Sequence, residues 1–130
     1  MRIYVVLIVV ILGVLAASGA QKGEYGTRVY YFPLLSNSQD PIDKDSIEDQ
    51  YDLTSVLKGD TKRILGILGS ASESQEAFSD STVRLKIVTE KETVMVDLNG
   101  HVLYGKRKLK LDKSEHRRLR LLILGKLPQT

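Results

Sequence analysis

From Ile3 to Ala17 the chain runs for 15 residues without a charged side chain, and this stretch limits what the rest can be. Arg2 precedes it, and the small residues Ser18-Gly19-Ala20 follow it. A cationic start, an apolar middle and small residues before the cut form the three-part pattern of a secretory signal peptide, with cleavage expected after Ala20. A retained N-terminal membrane anchor is the alternative, although a spanning helix wants about 20 apolar residues. On either reading the chain is exported, and its globular part is periplasmic or secreted. No second arginine accompanies Arg2, so twin-arginine export is not indicated. A core helix in a small domain shows a polar side, and this run has none.

With residues 1–20 set aside as signal peptide or anchor, residues 21–27 read as a flexible leader containing Gly23 and Gly26. Residues 28–127 form a single α+β domain, and 128–130 a C-terminal tail. Hydrophobic residues make up 42% of the chain and charged ones 27%, enough apolar material for a domain of this size to offset its chain entropy. The absence of cysteine excludes disulfides, thiolate metal sites and a lipid-modified cysteine.

The net charge of +3 is too small to indicate a polyanion partner, but its distribution is uneven. Pro33 to Asp60 holds seven acidic residues against Lys44 and Lys58, and His101 to Lys126 holds nine basic residues against Asp112 and Glu115. Two solvated surfaces are expected from these runs.

Alternation and turn residues predict strands at Arg28–Phe32, Val83–Val88, Thr93–Leu98, His101–Tyr104 and Lys108–Leu111. They make a small twisted antiparallel sheet with two or three helices packed on one face, preceded by the N-terminal hydrophobic signal helix. The helices are expected at Lys44–Gln50, Thr61–Leu68 and Lys113–Leu124. Asp43 is placed to cap the first, with Ile42 and Ile47 as a hydrophobic staple. Asp60 caps the second, which Gly69 ends. Asp112 and Glu115 form a capping box on the third, which Gly125 and Pro128 stop. Tyr51 to Leu57 reads as irregular or a short strand, and Ser70 to Thr82 as a surface loop or a weak helical turn around Ser74 to Phe78. Asn99-Gly100 predicts a two-residue hairpin with both turn residues at positive φ, so that Val96 faces Leu103 and Met95 faces Tyr104. In the last helix Leu119, Leu122 and Ile123 form an apolar stripe, which Leu121 and Leu124 are expected to widen.

No catalytic, nucleotide or metal motif occurs, so no catalytic residue, cofactor or metal ligand is assigned. His101 and His116, the two histidines, are expected to be exposed. The acidic run Asp40 to Asp49 lacks the central glycine and the ligand spacing of a calcium loop. The candidate interaction surface comprises Lys106, Arg107, Lys108, Lys110, Arg117 and Arg118 with Tyr104, cations suited to phosphates of lipid headgroups or lipopolysaccharide. Export and the lack of interleaved aromatics disfavour nucleic acid. Tyr25, Tyr30, Tyr31, Tyr51 and Tyr104 are candidates for a recognition patch or for covering sheet edges.

The expected function is that of an exported, non-enzymatic binding or accessory protein with a protein partner. One alternative is an envelope-associated protein that binds anionic surfaces through the C-terminal basic cluster. The other is a small hydrolase without a known motif, which a pocket gathering Asp97 and His101 would favour.

Overall fold

Alternating side chains build the centre of the sheet. The computed structural model describes residues 26–127, so the apolar run, the expected cleavage site and the tail lie outside the described residues. Strands β1 (Arg28–Tyr31), β2 (Tyr51–Asp52), β3 (Ser72–Glu73), β4 (Val83–Val88), β5 (Thr93–Asp97), β6 (His101–Tyr104) and β7 (Arg107–Lys110) form one seven-stranded antiparallel sheet in the order β2-β1-β4-β5-β6-β7-β3. The fold is mixed α+β. Strands β4 to β7 are a meander, β1 lies outside β4, and the two-residue strands β2 and β3 form the borders. Ile42 adds a single parallel bridge to Thr82.

One side of the sheet presents Val29, Tyr31, Leu85, Ile87, Val94, Val96, Val102 and Leu109. Helices α1 (Thr61–Gly69) and α2 (Lys113–Lys126) cover it with Ile64, Ile67, Leu68, Leu119 and Ile123. The expected first helix is a 3₁₀ turn, Ser46–Asp49, and it lies on the opposite side, where Ile42, Ile47 and Val83 pack with Tyr30, Phe32, Phe78 and Met95. Two helices rather than three therefore share one face. Asp43 closes the turn as expected, with Oδ1 accepting from the N–H groups of Asp45 and Ser46 while Ser46 Oγ accepts from Asp43 N–H.

The second face is covered along β4, whose sequence alternates apolar and basic residues. Arg84 and Lys86 are buried. Arg84 donates to the Ser36 carbonyl at 3.0 Å and lies 5.0 Å from the Phe32 ring centre. Lys86 donates to the Lys44 carbonyl and to Glu48, both at 2.7 Å. The segment from Ser36 to Asp49 folds across this face, and the two long cations supply polar contacts to its Ser36 and Lys44 carbonyls.

Helix ends follow the sequence in part. On α2, Asp112 accepts from Glu115 N–H at 2.7 Å and Glu115 accepts from Asp112 N–H at 3.0 Å, the expected capping box. On α1, Asp60 makes no side-chain cap and sits 3.6 Å from Lys126 instead. Gly69 keeps a negative φ; its missing side chain leaves room for the Tyr104 ring, which lies 3.5 Å from where a Cβ would be. Helix α2 passes through Gly125 and ends at Lys126.

The β5–β6 hairpin departs from expectation by one residue. Val96 pairs with Val102 and Met95 with Leu103, so Leu98-Asn99-Gly100 is a three-residue loop. Gly100 alone takes positive φ, at 83°. A one-residue shift turns every β6 side chain to the other face, and this one sends Val102 and Tyr104 to the helices.

Gly105 opens the β6–β7 turn at φ 63°, where a Cβ would stand 2.8 Å from Glu92 Oε2. Gly105→Ala is expected to cost about 1–2 kcal/mol from the left-handed backbone alone. Gly66→Ala, in the open middle of α1, is expected to add about 0.5–1 kcal/mol. Urea unfolding of both variants checks the opposite signs.

Candidate functional site

The hairpin shift sets Asp97, the last residue of β5, opposite His101, the first of β6. Both are buried, Asp97 completely. Asp97 Oδ1 accepts from the backbone N–H groups of Asn99 and His101, at 2.9 and 2.8 Å. Its Oδ2 accepts from Ser79 N–H at 2.9 Å and lies 2.8 Å from His101 Nδ1. On the other side of the imidazole, Nε2 lies 2.5 Å from Glu76 Oε2, which also accepts from Lys110 Nζ at 2.9 Å. With a carboxylate at each ring nitrogen, the ring can donate to both only as imidazolium.

Burial pulls the His101 pKa down, but the hydrogen bonds and charges of Glu76 and Asp97 outweigh it and leave the value above the ordinary 6.5. The same bond from His101, followed by that from Lys110, holds the Glu76 carboxyl below its usual range. His116 differs: burial and then the nearby Arg120 lower its pKa, and its buried Nε2 has no hydrogen-bond partner among the described residues. Neither histidine is the exposed group that the sequence suggested.

The two histidines shift in opposite directions and so lower stability on opposite sides of pH 6.5. His101 contributes fully below the unfolded value near 6.5, and its contribution is lost as pH rises through its raised folded pKa. His116 stays neutral in the fold, so stability is lost as pH falls from about 6.5 toward its lowered pKa. Stability is expected to peak near pH 6.5. His101→Gln should abolish the alkaline decline and keep the acid one in urea titrations at stepped pH. A wild-type profile flat above pH 6.5 would refute the assignment.

Chemically, this constellation is a clamp. It ties the loop carrying Glu76 and Ser79 to the end of β5 and the start of β6. Asp97, His101 and Glu76 lie in a row rather than around a point, and no group of three or more such side chains among the described residues is arranged to hold a metal ion. The larger groove, about 770 Å³, is elsewhere, between the start of β1 and α1, lined by Arg28, Asp52, Thr54, Lys58, Thr61 and Lys62 among others. The pattern Asp97-Leu98-Asn99-Gly100-His101 held a readable signal, because an Asp that bonds the N–H two residues on is an Asx turn.

The candidate basic residues divide into two groups. Lys110 is bound to Glu76, and Arg107 and Lys108 line a depression of about 190 Å³ with Glu73, Ser74 and Gln75. Lys106 is exposed in the turn, whereas Tyr104 is half-buried against Gly69 and the core. Arg117 and Arg118 are exposed on α2, and no ion pair or hydrogen bond among the described residues joins them to the β6–β7 group. The acidic and basic runs meet where Asp60 approaches Lys126. The tyrosines do not share a patch: Tyr31 is buried, Tyr30 and Tyr104 are half-buried, and Tyr51 is exposed on a border strand; Tyr25 lies outside the described residues.

Sequence reasoning missed the outer side of α2. Leu119 and Ile123 are fully buried, but Leu121 is 53% exposed and Leu124 45% exposed. These two do not widen the buried stripe. With Lys113 and Arg117 they follow one another at intervals of four, four and three, which puts all four on one outward line. No family model, curated protein or solved structure matches the chain.

Proposed function

We propose that the chain is an exported, non-enzymatic binding protein, delivered by residues 1–20 acting as a secretory signal or retained anchor, and that its domain works in the periplasm or outside the cell by holding a protein partner. The observation that carries this reading is the state of His101. It is the side chain best suited to acid–base work, yet it is buried with both ring nitrogens engaged by carboxylates, and neither groove described above includes it. That arrangement gives the hydrolase alternative no support.

Fractionation of producing cells, with N-terminal sequencing, is expected to recover a polypeptide beginning at Gln21 in the periplasm or medium, or the intact chain in the membrane fraction. Intact, folded chain in the cytosol would overturn export. Mild crosslinking of the same cells is expected to trap one specific protein adduct, and a lack of any would overturn the partner.

A second reading, association with an anionic envelope surface, is favoured by a different observation: exposed arginines and leucines share the outer side of α2.

A further inference from the structure

The outward line of α2 combines two properties that a simple solvated helix face lacks. It exposes two leucines in its second half, and its charges are of one sign. Lys113, Arg117 and Arg118 are exposed, Arg120 is half-exposed, and no acidic residue follows Glu115 in the helix. Asp112 and Glu115 are occupied in the capping box. Among the described residues neither Arg117 nor Arg118 has an ion-pair partner. Cations flanking exposed apolar side chains suit a bilayer surface with anionic headgroups, where the leucines enter the acyl boundary and the arginines meet phosphate.

The placement of the helix agrees. Thr27 and Arg28, where the leader passes into β1, line the large groove with Thr61 and Lys62 at the start of α1. Next to them Asp60 meets Lys126 at the end of α2. The start of β1 and the end of α2 thus lie close together, so anchoring through residues 1–20 would keep α2 near the bilayer. We propose that the outer side of α2, through Arg117, Arg118, Leu121 and Leu124, docks on an anionic phospholipid surface. This rests on the envelope reading, narrows its contact to the helix and leaves the β6–β7 hairpin out of it.

The chain contains no tryptophan, which supplies a direct test. The full chain carrying Leu121→Trp, or Leu35→Trp as a control at another exposed leucine, is reconstituted into vesicles of phosphatidylcholine alone or mixed with phosphatidylglycerol. Leu121→Trp emission is expected to shift to the blue and to resist an aqueous quencher only with phosphatidylglycerol. High salt should reverse both effects. Adding Arg117→Gln and Arg118→Gln should weaken the contact equilibrium about 30-fold, whereas adding Lys106→Gln, Arg107→Gln and Lys108→Gln should leave it unchanged. Circular dichroism checks that each variant is folded. The proposal is overturned by unchanged Leu121→Trp emission, by an equal shift in phosphatidylcholine alone, or by an equal shift of Leu35→Trp. A shift that appears only when envelope proteins are added would assign the stripe to a protein and also overturn it. Fractionation tests export separately, so failure of one does not imply failure of the other.

Discussion

Asp97→Ala is expected to destabilise the domain by about 3–5 kcal/mol, the range for removing one partner of a buried charged pair. Three backbone N–H groups, those of Ser79, Asn99 and His101, would lose their acceptor, and His101 would lose one of its two carboxylates. Unpaired buried donors carry their full desolvation cost. Asp97→Asn separates shape from charge: it retains the Oδ1 contacts but turns an amide nitrogen toward Ser79 N–H and His101 Nδ1, so most of the loss should remain. Small domains have only about 5–15 kcal/mol to lose. Urea titration of the three proteins measures the effect, and a loss below about 1 kcal/mol for Asp97→Ala would remove the network from the account of this fold.

The second large effect separates the two sides of α2. Ile123 is fully buried in the main core, and Ile123→Ala is expected to cost about 2–5 kcal/mol through lost transfer energy and the cavity left behind. Leu121→Ala, two positions away, should change stability by less than about 0.5 kcal/mol, because half of its side chain already faces water and it belongs to no buried cluster. Similar losses at both sites would mean that the outer leucines are covered in solution, for example by self-association. Sedimentation of the wild-type chain at two concentrations would then identify the cause.

Much of the architecture was legible because local chemistry and final environment agree. Val94 and Val96 alternate in sequence and lie on one face in the fold, and Asp43 and Asp112 stand where backbone N–H groups need acceptors. Asn99-Gly100 misled because its pattern fits two loop lengths; the longer one places Val102 and Tyr104 on the helical side and satisfies Asp97. The burial of Arg84 and Lys86 was illegible for another reason, since the segment covering them is distant in sequence and has no secondary-structure signal of its own beyond one turn. Strand β2 falls within Tyr51 to Leu57, which read as irregular or a short strand, whereas β3, also two residues long, is below the length at which alternation exists. The basic residues were visible as a run, but a run says nothing of neighbours, and Glu76 had already claimed Lys110. Leu121 and Leu124 were counted with the core because a leucine-rich helix looks apolar on every side until its contacts are known.

The brevity of β2 and β3 also bears on how other molecules can approach. At either border of the described sheet an incoming extended peptide would find a ladder only two residues long, too few rungs to hold a strand in register. Recruitment by strand addition and head-to-tail stacking of copies into fibrils are both starved of purchase. For the partner proposed above, selectivity would then reside in side chains on loops and helices, where single substitutions can retune it without disturbing the ladder beneath.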